Sequence, residues 1–416
     1  MNNTSTSRHY GALDGLRVLA CLGIIMMHIM TNSTYAITDT FYTVIIPLFT
    51  DFVYVFMVLS AFGMCCGYYE RMLGRNNGGK PDLHLNTFYR KRFQKVWPFF
   101  ALLCLLDFIV SPSRDMLYEL FADLTMCFGF LPGNGDLSVI GVGWFIGLIF
   151  VFYFLFPFYC VLIDNKRRAW LCLLLSLGYS VICANYFKIS RTNILYCSSF
   201  LFAGGLVYLY KDRLTALVKI SSWTRPLAFG LVVLALGVYC HFRGGVLPAL
   251  AASSALLLYG VSASKNPSAG IMTGSRLLEN PVMHFLSNIS LEVYLCHMLV
   301  YRVIEKLGLN TRFGNGWGQY LLTLVLVISG AVLFAWLAHR SIEKIENRMM
   351  ENSRIKLVPA TDKAESDNKA DAPIVLSQVD ETPENKKPAE SETEKMEPDQ
   401  PETEKEGEPH ESADGQ

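Results

Sequence analysis

Near the start of the chain Arg17 is followed by ten residues, Val18 to Met27, and then by His28, all inside one apolar stretch. At about 100° per residue the eleven steps make roughly three helical turns, so both side chains fall on one face. The helical rise separates them by roughly 16 Å along the axis, about half the thickness of a bilayer core. Ionisable groups at membrane depth are costly and mark pathways or reaction sites. Arg17 offers a fixed cation for an anionic ligand, and His28 offers a base suited to proton transfer near neutral pH. Asp14, three residues before Arg17, can pair with it. The plainer reading is a snorkelling arginine and a hydrogen-bonded structural histidine.

Two further constellations carry chemistry. The run Tyr89-Arg90-Lys91-Arg92-Phe93-Gln94-Lys95-Val96-Trp97-Pro98 reads either as a topogenic charge cluster or as a phosphate clamp built on Arg90, Arg92 and Lys95. Ser290, Tyr294 and His297 stand at i, i+4 and i+7 and so share a helix face, with Glu292 directed elsewhere. They can orient or polarise a substrate, or form a polar helix–helix contact. Asp51, Ser60, Trp144, Tyr153 and Glu343 each read alone as structural.

The elements that position these groups follow from composition. The 416 residues are 52% hydrophobic, with mean hydropathy +0.30, and the apolar residues fall in blocks. Ten blocks are long enough to span a bilayer, at approximately 13–31, 43–69, 96–111, 140–163, 168–187, 194–210, 226–241, 246–264, 281–301 and 317–338. The shorter stretch 116–131 reads as interfacial or re-entrant. With the N-terminus inside, the inner segments hold 22 Lys and Arg and the outer ones 7, so the positive-inside rule places both termini in the cytoplasm. The expected fold is all-α: a polytopic membrane bundle over residues 13–348, preceded by a cytoplasmic segment 1–12.

The formal net charge of +0 conceals two regions. Residues 361–416 hold 18 Asp/Glu and 6 Lys, leaving 30 Lys/Arg against 18 Asp/Glu, a net +12, in the rest. The segment 349–416 is therefore expected to be an acidic cytoplasmic tail, and its composition is that of a disordered chain. The 11 cysteines form no CxxC pair, so neither a disulfide framework nor a metal site is expected. The polar opening residues lack a cleavable signal pattern, so the first apolar block reads as a retained helix.

Taken together, the motifs resemble the membrane acyltransferase 3 family. Leu13-Asp14-Gly15-Leu16-Arg17 with His28 resembles its opening LDGLR…H. Phe56-Met57-Val58-Leu59-Ser60-Ala61-Phe62 resembles FFVLSGF, with Ala61 at the glycine. Lys91 to Pro98 resembles RRxxRIxP, with Lys91 and Lys95 at the outer arginines. Trp144 to Pro157 is similar to WFLxxEExFYLxxP, but Ile149 and Phe150 stand where that pattern has two acids. Ser290 to His297 resembles SYxIYLxH, and Ile342-Glu343 the late I-E pair. The resemblance covers about residues 10–348.

It implies a multi-pass protein of the cell membrane, a bacterial cytoplasmic membrane, that moves an acyl group, acetyl in the first instance, from acyl-CoA to a hydroxyl of a cell-surface or lipid-linked glycan. The expected donor is acetyl-CoA, with no metal and no nucleic acid partner. The expected catalytic residues are His28, Arg17, Tyr294 and His297. Arg17, Arg90, Arg92 and Lys95 would bind the donor, and Asp14, Ser60, Trp144, Tyr153 and Ser290 the substrate. Two other classes stay open. One is a transporter or flippase lined by Arg17 and His28, although no internal repeat is visible. The other is a non-catalytic subunit of polysaccharide assembly, in keeping with the missing acidic pair.

Overall fold

A computed structural model describes residues 9–75, 78–81, 83–110, 112–131, 140–189 and 191–356. Twelve helices order these residues: α1 Ala12–Thr31, α2 Phe41–Met72, α3 Leu85–Val110, α4 Arg114–Leu124, α5 Trp144–Leu162, α6 Lys166–Phe187, α7 Ile194–Ile220, α8 Thr224–His241, α9 Val246–Ala263, α10 Pro281–Asn288, α11 Ser290–Lys306 and α12 Trp317–Lys356. Among the described residues there is no strand, only a bridge between Asn266 and Ile271. The protein is an all-α polytopic bundle.

Eight of these helices are long and apolar enough to cross a membrane. The other two expected spans fall on α3, whose first half carries Arg90, Lys91, Arg92 and Lys95, and on α10 and α11, for the stretch 281–301 is divided at Ile289 into a helix of 8 residues and one of 17 that includes Glu292 and His297. The two stretches that departed from a plain apolar pattern are therefore those bearing candidate chemistry. The stretch expected to be interfacial forms α4, of 11 residues, about half the length a span needs. The backbone of α12 stays helical through Lys356, eight residues into the expected tail, in keeping with the good helix formers of that segment. The rest of the tail, 357–416, lies outside the described residues.

Helix starts follow local chemistry where the sequence supplies a cap. Ser113, Asn165 and Asn280 each accept from the amide three residues on, at 3.1, 2.9 and 3.0 Å. The start of α1 has no such side chain of its own. Its Ala12 amide donates instead to Ser264 Oγ at 3.1 Å, just beyond the end of α9.

Burial sets the order of the bundle. Within its span window α1 is 67% buried, against 17% for α6 and for α8. Leu171, Leu174, Leu175 and Ile182 on α6 are exposed, as expected of a helix whose outer face meets lipid. At the centre, α1 packs against α2, α9, α10 and α11. Gly15 makes room for the turn that leads into α10: a β-carbon there would lie 2.5 Å from the carbonyl oxygen of Leu278. That close approach accounts for the glycine between Asp14 and Arg17.

Candidate active site

The first turn of α1 forms a polar knot. Asp14 is 4% exposed, and both of its oxygens are engaged. Oδ1 accepts from Arg17 at 3.2 Å and from Ser287 Oγ at 3.0 Å. Oδ2 meets His9 Nε2 at 3.0 Å and His284 Nδ1 at 2.9 Å. Asp14 thus orients Arg17, whose partly exposed guanidinium faces a cavity that Asp14 itself does not line.

That cavity has a volume of about 930 Å³, at the upper end of the range for cofactor sites. It is bounded by α1, α2, α3, α5, α7, α10 and α11. Six cations line it, Arg17, Arg71, Lys91, Arg92, Lys95 and Lys211, against the acids Glu70, Asp212 and Glu292. Packing holds several of them in place. Arg92 donates to Tyr68 Oη, and its guanidinium carbon lies 4.8 Å from the Tyr68 ring centroid and 5.7 Å from that of Tyr153. Lys211 Nζ sits 3.9 Å from the centroid of the Tyr208 ring, whose hydroxyl donates to Glu70 at 3.1 Å. Such partly desolvated cations with planar neighbours suit phosphate recognition.

The lining also includes the apolar Ile146, Ile149 and Val96 and the aromatic Phe56, Phe145 and Tyr294. The last three pack mutually with ring centroids 5.6–6.1 Å apart. Beyond Tyr294, with ring centroids 6.0 Å apart, lies His297.

His297 is fully buried and stacks on His28 at 5.0 Å, with Nε2 2.8 Å from His28 Nδ1. Its own Nδ1 lies 2.5 Å from the Tyr294 carbonyl. A carbonyl only accepts, so that bond assigns the proton to His297 Nδ1. For the neutral pair, His297 Nε2 is then the acceptor, and His28 Nδ1 must donate to it. The chain of assignments leaves the lone pair on His28 Nε2. The turn bearing His28 is itself tied down: Tyr320 donates to the Met26 carbonyl at 3.0 Å, and Tyr301 to that of Asn32 at 2.7 Å.

A second polar cluster forms around Arg191, outside the cavity lining. Arg191 bonds Thr50 Oγ1 at 2.7 Å, pairs with Asp51 at 3.7 Å and lies 5.6 Å from the Trp144 ring centroid. Tyr239 donates to Asp51 at 3.0 Å.

The structure therefore brings Arg17, Ser60, Arg92, Lys95, Tyr153, Ser290 and Tyr294 to one cavity, and places His28 and His297 together behind its aromatic end. Three expected ligands sit elsewhere. Arg90 is exposed and outside the lining; it stands about 200° around α3 from Arg92, and Lys91 lines the cavity instead. Trp144 belongs to the Arg191 cluster, because it starts α5 on the far side. Asp14 holds Arg17 from behind. Glu292, expected to point elsewhere, does line the cavity, which wraps the first turn of α11; it also bonds His339 at 3.0 Å. The sequence reading missed Tyr68, Tyr208, Lys211, His9, His284 and Arg191. Lys211 and Arg191 entered only as topological charges, and no spacing signal joins His284 to Asp14 across 270 residues.

A family model described as an acyltransferase domain, that of the acyltransferase 3 family, matches residues 10–337. The chain belongs to this family and is in general terms a membrane acyltransferase. Neither curated proteins nor solved structures yield a match.

Proposed function

We propose that the protein takes an acyl group, acetyl in the first instance, from acyl-CoA held in the cavity and transfers it to a hydroxyl of a cell-surface or lipid-linked glycan. The observation that carries this reading is a cavity lined by six cations whose lining also includes Ile146, Ile149, Val96, Phe56, Phe145 and Tyr294, the last packed at 6.0 Å on a tautomerically ordered imidazole pair. The positive charge suits the phosphates of a coenzyme A. In this reading Ile146, Ile149 and Val96 form an apolar neck that suits the slender pantetheine arm. The cavity mouth is lined by residues of segments that the distribution of Lys and Arg assigns to the cytoplasm.

In this reading Lys91, Arg92, Lys95 and Lys211 hold the phosphates, and Arg17, steadied by Asp14, meets the arm as it enters. Ser60, Tyr153 and Ser290 line its path. His28 Nε2 takes the proton of the acceptor hydroxyl as that oxygen attacks the thioester carbonyl. His297 positions His28 and fixes its tautomer. The carbonyl π electrons move to its oxygen; when the carbonyl re-forms, the C–S bond breaks, and the thiolate takes up the proton released through His28. Tyr294 packs on His297, and its rotation away from Val142, to which it now donates at 3.1 Å, would open the aromatic layer and offer a donor to the developing oxyanion. The acceptor approaches from the Trp144–Arg191–Asp51 side, where an aromatic face beside charged hydrogen-bonding groups suits a sugar. A bacterial cytoplasmic membrane is the proposed location.

The test is coenzyme A release from acetyl-CoA by the purified protein in lipid nanodiscs, with and without glycan extracts. Release stimulated by acceptor is the expected result. Binding of acyl-CoA without turnover in any extract, or no binding at all, refutes the proposal. In cells, loss of an ester from surface glycans when the protein is removed identifies the acceptor.

A further inference from the structure

Among the described residues the clearest convergence of metal-ligating groups outside the cavity is His9, Asp14 and His284, whose ligand atoms all lie within 4.8 Å of one another. The geometry points to a regulatory site for a divalent transition-metal ion of the zinc class, held by His9 Nε2, Asp14 Oδ2 and His284 Nδ1.

Both imidazole nitrogens aim at the same carboxylate oxygen, at 3.0 and 2.9 Å. Zinc bonds of roughly 2.0–2.2 Å put tetrahedral ligands about 3.3 Å apart. An ion would therefore seat between these three atoms by lengthening each nitrogen–oxygen separation a few tenths of an ångström and by rotating the two exposed imidazoles, whose nitrogens lie within 4.8 Å of each other, closer together. The imidazole planes stand at 86° with centroids 5.6 Å apart, so the two rings approach the oxygen from different directions. Asp14 is pre-oriented for the task, because Arg17 and Ser287 hold its other oxygen; outer partners of this kind fix a ligand's direction.

The donor set selects the metal. Two imidazoles and one carboxylate suit zinc, cobalt, nickel or ferrous iron rather than magnesium or calcium, which take all-oxygen sets. The histidines are 63% and 58% exposed in their side chains while Asp14 is 6% exposed. A buried anion thus faces two solvent-facing bases, leaving room for water at the remaining positions. The Arg17 guanidinium on the other oxygen opposes a cation, and Glu279, close to Gly11, favours one.

Occupancy would tie the segment before α1 to α10, whose Ser287 and Asn288 line the cavity. It would also draw charge from the carboxylate that steadies Arg17. The site is thus placed to couple metal supply to the donor cavity. This inference stands apart from the identity of the acyl donor or acceptor.

Cobalt(II) is the probe, since its visible absorption reports a protein site directly. The full-length protein in nanodiscs, its affinity tag removed, is titrated with cobalt chloride beside a His9→Ala/His284→Ala variant. One equivalent in the parent, displaced by zinc, and loss of that equivalent in the variant are expected. Equal uptake by both proteins, which would locate binding at other histidines, overturns the proposal, as does no uptake by either. Both substituted side chains are largely exposed, and His9→Ala alone should still weaken uptake at least tenfold.

Discussion

Replacing His297 by alanine while keeping His28 isolates the role assigned to the buried imidazole. His297 is separated from the cavity by the Phe56, Phe145 and Tyr294 layer, and its two hydrogen bonds go to His28 and to its own helix. It can therefore act on an acyl transfer only through His28. Without it, nothing selects the tautomer that leaves the lone pair on Nε2, and the Nδ1 proton of His28 loses its acceptor. A positioned base contributes about 10²–10⁴ in rate, and loss of an orienting partner can forfeit much of that. The expected fall in kcat is about 10²–10³, or about 2.7–4.1 kcal/mol, with KM for acyl-CoA unchanged because no cavity cation is touched. Glutamine at 297 can present an amide oxygen near the place of Nε2 and should recover at least tenfold over alanine. The decisive comparison is the His28→Ala/His297→Ala double variant, assayed by thiol release in nanodiscs. Groups that act as one unit are non-additive, so the double variant should be no slower than His28→Ala alone. Multiplied losses would refute the positioning role and give His297 a separate function.

Arg17→Lys keeps the charge but not the planar fork that meets Asp14, so KM for acyl-CoA should rise about tenfold, one charge-assisted hydrogen bond; equal KM values argue against donor contact at this residue. Gly15→Ala drives a methyl group against the Leu278 carbonyl and should lower stability by about 1–3 kcal/mol, read as earlier thermal unfolding in nanodiscs; an unchanged melting profile would refute the close approach of α1 to the Leu278 turn. The Asp39 carboxylate is held below the usual range by the Tyr42 amide and by the Trp317 indole at 2.6 Å. A lowered carboxylate stabilises above its unfolded value and loses that contribution as pH falls through its folded value. Trp317 emission, taken as the difference from Trp317→Phe, should therefore stay constant at neutral pH and change only below about pH 4.

Much of the bundle was readable because bilayer thickness and helical rise convert apolar block length directly into span number. The face shared by Ser290, Tyr294 and His297 was likewise visible in helical periodicity, and so was the common side of Arg17 and His28. Periodicity says which side a residue lies on but not how far around a neighbour's cavity extends. Helical spacing therefore turns Glu292 away from a site that wraps the start of α11, and charge alone groups Arg90 with Arg92. The partnership of His28 with His297 spans 269 residues. Both residues were singled out separately, yet nothing in the spacing of either joins them. The knot at Asp14 was least legible of all, since its histidines sit in stretches with no motif.

The separation between cavity and imidazole pair constrains any mechanism on this scaffold. A continuous water-filled path from Lys91 to His28 would let the thioester hydrolyse and would let protons leak across the membrane. A single packed layer of Phe56, Phe145 and Tyr294 prevents both while leaving only one side-chain thickness between them. On the proposed acyl-CoA reading, opening would be coupled to the arrival of the pantetheine arm, whose burial among Ile146, Ile149 and Val96 would supply apolar contact at that point. Ile149 stands where the related pattern carries an acid, and it makes this neck more apolar. A carboxylate there would demand a partner or a water and so would hold the neck wet. The substitution favours a tightly sealed resting state, and wild-type nanodiscs should show hydrolysis of acetyl-CoA without acceptor at a small fraction of the transfer rate. Ile149→Glu should raise that fraction. Equal hydrolysis in both proteins would mean that the aromatic layer, and not the neck, sets the seal.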